Sequence, residues 1–301
     1  MLLRQQGRSL VVHTPAKLNL FLEVLGKRSD GYHELETLMV TVGLYDSLRF
    51  TEGESTDIQL SCSWAGPPTF SPGCLPAGSD NLVMKAAQLL REVTGTRLGA
   101  SIELTKRIPL EAGLAGGSSD CAATLMALNQ LWRAGLTDQQ LRELAARLGS
   151  DIAFFLSRST AAVCRGRGEI IEPMTTPMRL HFVIAKPASG LSTAAVFRQC
   201  RPASDRSVVD SQSLASAFRA GHVSRTGQHF FNALQSPAEQ LNSDVVRLRR
   251  TFSRLPFLGH QMSGSGTSYF GLCSHQEQAR SLAARVRSAG CDYVFVASTQ
   301  P

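Results

Sequence analysis

The stretch PLEAGLAGGSSDCAATLMALNQLW, residues 109–132, runs from glycines and serines directly into a helical pattern. Its three glycines weaken any regular element, whereas Ser118, Ser119 and Asp120 are of the residue types that begin helices. From Cys121 onward, leucines recur at spacings of three and four among alanines, which is the period of a helix face. The stretch therefore predicts a flexible loop that leads into the N-terminus of a helix.

This predicted junction of loop and helix is suited to an anion. A helix N-terminus carries unpaired N–H groups and about half an elementary positive charge, and glycines let the backbone approach a ligand closely. Phosphate is the ligand that such a place suits best. The spacing matches neither GxxxxGK[ST] nor GxGxxG, and a glycine turn can also be purely structural. The two serines favour phosphate, because hydroxyl groups can donate to its oxygens.

The composition limits the class of protein. With 301 residues, 43% of them hydrophobic, the chain can form one large or two medium domains. No apolar run reaches the roughly 18 residues of a membrane span, and the first twelve residues lack the apolar segment of a secretory signal. The seven cysteines contain no CxxC pair. We therefore expect a cytoplasmic protein with reduced thiols, no cysteine-bound zinc and no membrane partner.

The net charge of +7 leaves three interpretations open, namely a nucleic-acid partner, an anionic small-molecule substrate and a solvated basic face. The densest basic group, RLRRTF at 247–252, lies in a helix-like segment. Because no basic stripe with interleaved aromatic residues is present, we expect no nucleic-acid partner.

The order of predicted elements indicates an α+β fold. SLVVHTPAKLNLFLEVLG and LETLMVTVGLYDSLRF read as strands separated by a turn at Asp30 and Gly31. Residues 61–79 read as a surface loop, and two helices are predicted at 81–95 and 137–149. Strands and helices do not strictly alternate, which argues against a doubly wound sheet. The pattern restarts near residue 160, so we predict domains at 1–160 and 161–301.

Three further stretches combine polar residues with local structure. PAKLNLFLEV places Lys17 and Asn19 on one face of a strand, which by itself is typical of a solvent-facing pair. GSDIAFFL places Asp151 before an apolar segment, where it could simply cap a helix. MSGSGTSYFGL places a tight turn at 264–266, which could be no more than a hairpin.

Taken in order, TPAKLNLFL, PLEAGLAGGSSD and MSGSGTSYF resemble the GHMP kinase superfamily over nearly the whole chain. One branch of this superfamily phosphorylates a cytidine-diphosphate-linked methylerythritol in the non-mevalonate isoprenoid pathway. Three further stretches are similar to that branch, namely KRSDGYHELETLM, GSDIAFF and GLSTAAVF. The resemblance implies a two-domain α+β fold with the active site in the interdomain cleft. It also implies that the N-terminal domain binds ATP with Mg²⁺ and that the C-terminal domain binds the substrate. It assigns no metal ligand here.

The resemblance assigns roles by position. It implies that Asp151 accepts or orients the proton of the substrate hydroxyl, and that Lys17 keeps Asp151 ionised and stabilises charge near the transferred phosphoryl group. The residues implied to bind ATP are Pro109, Leu110, Glu111, Ala112, Gly113, Leu114, Ala115, Gly116, Gly117, Ser118 and Ser119, with Asn81 and Lys106. Those implied to bind the substrate are Asn19, Tyr32, His33, Phe197, Gly264, Ser265 and Gly266.

The cytidine end of the implied substrate needs an aromatic face. The resemblance implies that Tyr32 and Phe197 sandwich the base, that His33 bonds its edge and that Asn19 makes a polar contact nearby. Without the resemblance, these aromatic residues would be ordinary core or surface residues.

Two departures from the family pattern lie in the phosphate loop. Ala115 stands in place of a glycine, and since alanine disfavours positive φ, we predict a negative φ there. Glu111 adds a negative charge near the phosphates, and we predict that it faces solvent rather than the metal.

Three alternatives remain at this stage. Another GHMP kinase acting on homoserine, mevalonate or a sugar would have no base to stack, so DGYH and Phe197 argue against it. A non-catalytic nucleotide-binding regulator would not need Lys17 and Asp151 together. A nucleic-acid binder is supported by charge alone.

Overall fold

The computed structural model describes residues 1–53, 55–67, 75–201, 211–291 and 293–299. The chain forms an α+β fold with a large sheet and a smaller one. The elements of the first part of the chain are β1 (Leu2–Gln6), β2 (Ser9–Lys27), β3 (His33–Glu52), β4 (Ile58–Trp64), α1 (Leu82–Thr94), β5 (Ala100–Lys106), α2 (Gly116–Leu131), α3 (Asp138–Leu148), α4 (Ile152–Leu156), β6 (Ala161–Gly166) and β7 (Ile170–Met174).

The second part of the chain carries the smaller sheet and most of its covering helices. Its elements are β8 (His181–Lys186), α5 (Thr193–Gln199), α6 (Ser211–Arg219), α7 (Val223–Gln228), β9 (Phe231–Asn232), α8 (Gln235–Leu241), α9 (Ser243–Ser253), β10 (Gly259–Met262), β11 (Tyr269–Cys273), α10 (Gln276–Ser288) and β12 (Tyr293–Ser298).

The large sheet is built on the long antiparallel pair of β2 and β3. It has the order β1-β2-β3-β5-β4, with β6 and β7 continuing from the other half of β3 and β9 lying parallel to β2. The smaller sheet has the order β10-β11-β8-β12, all antiparallel. The large sheet therefore continues beyond residue 160 to Met174, and the division into 1–160 and 161–301 stays a prediction.

Three apolar cores hold these layers together. The first lies between the large sheet and α1–α4, and the third between the smaller sheet and the C-terminal helices. The second joins Leu18 and Val40 of the large sheet to Phe182 and Phe270 of the smaller one. The junction between the sheets is therefore itself a buried core.

The local elements follow the predicted signals closely. Thr137 caps α3 in a full capping box, and Gly95 ends α1 in the left-handed conformation. The predicted surface loop at 61–79 was wrong at its start, because β4 continues to Trp64 alongside β5; residues 68–74 lie outside the described residues. No helix in the described part of the chain is long and apolar enough to cross a membrane.

Candidate functional site

Lys17 and Asn19 lie on a bent segment of β2. The register of the β2–β3 pair shifts between Pro15 and Ala16 and again between Asn19 and Phe21, and such bulges redirect side chains. Both polar residues are buried, so they do not form a solvent-facing pair. The Lys17 ammonium donates to Asn19 Oδ1 at 2.5 Å and to the Gly113 carbonyl at 3.1 Å.

Asp151 completes this cluster from the start of α4. Its Oδ2 lies 3.5 Å from Lys17 Nζ, although the two residues are far apart in the sequence. Asp151 occupies the N-cap position but makes no side-chain capping bond, so the interpretation as a simple helix cap does not hold. Its side chain is 35% exposed, whereas that of Lys17 is 4% exposed. The carboxylate thus faces a buried cation on one side and solvent on the other.

The glycine loop before α2 is fixed on both sides. Leu114 accepts from the Lys17 amide at 3.1 Å, which ties the loop to β2. Ala112 accepts from the Ser268 amide at 3.1 Å, which ties it to the segment after β10. A side chain at Gly113 would collide with the Ser263 carbonyl, and Gly113 has a φ of 69°. Only glycine therefore fits where the loop crosses this segment.

Ala115 adopts a left-handed conformation with φ 54°, so the prediction of a negative φ was wrong. The loop must turn there to deliver its chain into α2, and the ties at Leu114 and Ala112 hold it in that path.

Glu111 is also left-handed, with φ 48°. It is exposed, as predicted, and its carboxylate lies against Gly190. Two non-glycine residues in this conformation indicate a strained loop.

The first turn of α2 presents free amides. The bond from the Ser119 amide to the Ala115 carbonyl, 3.0 Å long, is the first of this helix, so the amides of 116–118 have no partner within it. Gly117 is exposed, whereas Ser119 is fully buried and its hydroxyl bonds that of Thr14. Of the two serine hydroxyls, only that of Ser118 remains near solvent.

The turn between β10 and β11 closes the site from the second sheet. Gly264 and Gly266 have φ values of 55° and 90°, and Ser265 Oγ lies 2.8 Å from Thr193 Oγ1. A side-chain carbon placed on Gly264 would lie 3.3 Å from Lys17 Nζ and 3.4 Å from Asn19 Oδ1. The three stretches that the sequence singled out therefore meet at Lys17.

The aromatic residues predicted to bind the base have protein partners in this structure, and whether they sandwich a base stays a prediction. His33 stacks on Phe197, with ring centroids 5.1 Å apart. Tyr32 is 52% exposed, and the guanidinium group of Arg167 lies 4.5 Å from its ring centroid. Sequence reasoning missed Arg167, although the flanking Gly166 and Gly168 mark it as the tip of the turn between β6 and β7.

The two residues predicted to bind the nucleotide from outside the glycine loop, Asn81 and Lys106, are bonded to other parts of the protein. Asn81 caps α1 by accepting from the Val83 amide at 2.8 Å and donates to the Pro76 carbonyl at 2.6 Å. Lys106 is buried and donates to Asp120 Oδ2 at 2.7 Å and to Asp46. Sequence reasoning did not single out Asp46, because nothing in a strand pattern marks a buried carboxylate. Whether Asn81 and Lys106 contact a nucleotide stays a prediction.

Burial and neighbouring charges have opposite effects on the pKa of Lys106. Burial lowers the pKa of Lys106, but the carboxylates of Asp120 and Asp46 more than offset this, so the pKa is raised. Burial raises the pKa of Asp120; Lys106 lowers it and Asp46 raises it again, to about 7 overall. One ammonium group cannot neutralise two buried carboxylates, and Asp120 is the group that bears the excess.

Comparison with known proteins identifies relatives over almost the whole chain. The family profile of the GHMP kinases N terminal domain matches residues 81–159, and that of the GHMP kinases C terminal matches residues 214–291. A 4-diphosphocytidyl-2-C-methyl-D-erythritol kinase from Pelotomaculum thermopropionicum is 41% identical over 90% of this chain and 92% of its own. One from Alkaliphilus metalliredigens is 37% identical over 88% of each chain.

Solved structures agree with this. A crystal structure of 4-(cytidine 5'-diphospho)-2C-methyl-D-erythritol kinase superposes with a TM-score of 0.77 at 33% identity, covering 97% of this chain and 99% of that one. The mevalonate kinase of L. major, solved with R-mevalonate, superposes with a TM-score of 0.74 at 18% identity, covering 99% and 97% of the two chains. The latter likeness concerns the fold alone.

Proposed function

The chain belongs to the 4-diphosphocytidyl-2-C-methyl-D-erythritol kinase family of the GHMP kinases, and from this premise we propose that it transfers the γ-phosphoryl group of ATP to the 2-hydroxyl of 4-diphosphocytidyl-2-C-methyl-D-erythritol. It is a phosphotransferase with an alcohol as acceptor. The observation that supports the proposal most strongly is the position of Lys17, whose ammonium group lies 3.5 Å from the Asp151 carboxylate and 3.1 Å from the phosphate-loop carbonyl of Gly113.

The triphosphate rests on the first turn of α2. The amides of 116–118 are free of helical partners, and the partial positive charge of the helix favours an anion there. The ties of the loop to β2 and to the segment after β10 fix these donors before the nucleotide arrives. Such donors need no rearrangement during the reaction, which is how fixed dipoles stabilise developing charge.

Asp151 orients the acceptor hydroxyl and receives its proton. The hydroxyl oxygen forms a bond to the γ-phosphorus while the bond to the β-phosphate oxygen breaks, and ADP leaves. The proton passes to Asp151 and then to water, which reaches the exposed side of that carboxylate. Lys17 offsets the negative charge of Asp151 and of the transferred group. Asn19 and Gly113 hold Lys17 in place through its other hydrogen bonds.

ATP brings Mg²⁺, which prefers oxygen ligands and keeps several waters. Within the described residues, no three His, Cys, Asp or Glu side chains are grouped to hold a metal ion. The site offers the carboxylate of Asp151 and loop carbonyl oxygens, which fits an ion held mainly by phosphate oxygens and water. When bound, such an ion neutralises charge on the phosphates.

The cytidine moiety binds at Tyr32, His33 and Phe197. His33 occupies one face of Phe197, so a base that stacks on that face displaces the imidazole, which can then bond the edge of the base. The other aromatic ring, Tyr32, is held by Arg167 and is half exposed. A flat base is thus offered two aromatic surfaces from separate segments of the chain.

A single assay tests the proposed function. The purified chain is given MgATP with 4-diphosphocytidyl-2-C-methyl-D-erythritol, homoserine or mevalonate, and ADP release is measured for each acceptor. We expect turnover only with the first, because the other two carry no base. Comparable turnover of homoserine or mevalonate would contradict the proposed substrate, and ADP release with none of the three would contradict the proposed reaction.

A further inference from the structure

Three charged side chains are buried together beneath the first turn of α2. Asp46 comes from β3, Lys106 from the end of β5 and Asp120 from α2 itself, and each is at most 3% exposed. Lys106 donates to both carboxylates, at 2.7 Å to Asp120 Oδ2. We call these three residues the buried charge cluster.

The two carboxylates of the buried charge cluster are not equivalent. Asp46 Oδ1 accepts from the amides of Arg107 and Ile108 at 2.6 and 2.9 Å, and its other oxygen accepts from Lys106. Asp120 accepts only from Lys106, and within the described residues its buried Oδ1 has no partner. A buried oxygen without a donor is costly when charged and far less so when it carries a proton. The site of proton uptake in the cluster is therefore Asp120.

The cluster lies directly behind the proposed phosphate site. A side-chain carbon placed on Gly116 would lie 3.1 Å from Lys106 Nζ. Asp120 is four residues further along α2 and points back toward the helix start on the same face. With both carboxylates ionised, the cluster carries a net charge of −1 beneath amides that would receive a triphosphate. With Asp120 protonated, the cluster is neutral.

Neighbouring groups do not take over this titration. The groups that face the cluster are Cys62 from β4, Cys121 from α2, Tyr293 from β12, and Arg107 after β5, whose amide donates to Asp46. Burial raises the pKa of both thiols and of the phenol, so these groups stay neutral near pH 7. Asp120, whose pKa is raised to about 7 by burial, titrates in the range where a kinase is assayed.

We propose that Asp120 is a positioning residue that takes up a proton when the triphosphate of the nucleotide binds. This rests on the proposed function, since it requires phosphates at the start of α2. The proton comes from solvent and no covalent bond changes. A like charge beneath the phosphates opposes binding, and removing that charge allows Lys106 to hold the helix start without a net repulsion.

The direction of the effect follows from linkage. If the protonated cluster binds the nucleotide more tightly, the nucleotide raises the proton affinity of Asp120 by the same factor. Affinity is then highest below the pKa of the free protein and falls as the pH rises through it. For a rise of one pKa unit on binding, the Kd increases roughly sixfold from pH 6.5 to pH 8.5, and about 0.4 proton is taken up at pH 7.

Titration calorimetry with the Mg²⁺ complex of AMP-PNP tests this without catalysis. Binding is measured at pH 7 in two buffers of different ionisation enthalpy, which gives the number of protons taken up, and the Kd is measured from pH 6.5 to 8.5. We expect the uptake and the pH dependence in the wild-type protein, beyond what AMP-PNP itself contributes. Asp120→Asn, which keeps the shape and an acceptor for Lys106, should lose both and bind at least as tightly as wild type at pH 8.5.

Asp138→Asn is the matched control, because Asp138 lies exposed in the first turn of α3, and it should behave as wild type. Equal pH slopes for wild type and Asp120→Asn would overturn the proposal. A purely structural role for Asp120 would weaken binding equally at every pH and would also overturn it. If Asp120→Asn does not fold, absence of proton uptake in the wild type decides against the proposal. Failure of AMP-PNP to bind at any pH would instead contradict the proposed function.

Discussion

Lys17 and Asp151 form a pair that depends on the path of the backbone around each residue. Bulges on either side of Lys17 turn its side chain into the site, and Asp151 stands at a helix start without using its carboxylate as a cap. The strand alternation correctly predicted that Lys17 and Asn19 share a face. It could not predict their burial, because the turn at Gly264 that covers them comes from the distant second sheet.

Replacement of Asp151 by Asn tests the role of the carboxylate. The amide keeps the shape but cannot accept the proton of the hydroxyl, so we expect kcat to fall by about a hundred- to ten-thousandfold with KM values within a few-fold of wild type. Steady-state kinetics with both substrates measure this. Asp138→Asn, at an exposed helix start, should leave kcat unchanged. A kcat for Asp151→Asn close to that of wild type would rule out the assigned role.

Tyr32 tests the binding of the base. Tyr32→Ala removes an exposed ring that packs only against Arg167 among the ring contacts of the described residues. We expect the KM for the cytidine substrate to rise roughly tenfold, since stacking contributes about 1–3 kcal/mol per base. The KM for ATP should not change. Tyr32→Phe keeps the aromatic face and should resemble wild type; an equal loss in both variants would show that stacking is not the cause.

Two residues near the site, Arg167 and Asp46, could not be predicted from the local sequence. Arg167 reaches Tyr32 from a hairpin more than a hundred residues away, and Asp46 reaches Lys106 across neighbouring strands. The glycines beside Arg167 mark a turn but not its contact with Tyr32, and an aspartate in a strand such as Asp46 is common. Only the pairing of β3 with β5 and β6 places them at the site.

Among the secondary-structure elements, the glycine loop before α2 departs from local backbone preference. The sequence predicted the loop and the start of the helix that follows it, because glycine, serine and leucine spacing report on these directly. The predicted negative φ at Ala115 was wrong, because the ties of the loop to β2 and to the segment after β10 override the intrinsic preference of alanine. The left-handed turn is required by those ties.

Ala115→Gly measures the strain in this loop. A left-handed alanine costs roughly 1–2 kcal/mol, and part of the relief is lost to the greater freedom of glycine in the unfolded chain. We expect the free energy of unfolding to rise by about 0.5–1 kcal/mol in urea titrations. Gly95→Ala is the opposite control, because Gly95 has φ 67° and open space around it. Its free energy of unfolding should fall by roughly 1 kcal/mol, since alanine is strained in the left-handed conformation. A loss of stability in Ala115→Gly would contradict the strain argument.

The start of α2 also makes stability depend on pH. The pKa of Asp120 is raised in the folded protein from its ordinary value of 3.8 to about 7 by burial, so the folded state holds the proton over a range where the unfolded state has lost it. The contribution of Asp120 to the free energy of unfolding is fully present below about pH 4. It is lost as the pH rises to 7, and the total loss is up to about 4 kcal/mol. Urea titrations of wild type and Asp120→Asn from pH 5 to 8 should therefore give free energies of unfolding that approach each other as the pH falls. A constant difference between the two proteins over this range would contradict the argument.

At the scale of the whole molecule, the site exists because two sheets share a core. The restart of the pattern near residue 160 predicted two units, and the α+β class followed from the mixture of elements. The way the units join could not be read from periodicity. Leu18 and Phe270 show the same alternation as any strand residue, yet both contribute to the core between the sheets.

This shared core predicts that the chain unfolds as one cooperative unit. Phe154 lies in the core of the large sheet and Phe252 in that of the smaller sheet, and both are fully buried. Replacing either by Ala should cost about 3–5 kcal/mol. If the second core couples the sheets, each variant lowers the midpoint of the same single transition in scanning calorimetry, with equal calorimetric and van't Hoff enthalpies. If the sheets unfold separately, two transitions appear and each variant shifts only its own. That outcome would mean that one sheet can unfold while the other stays folded, which would separate Lys17 from the turn at Gly264.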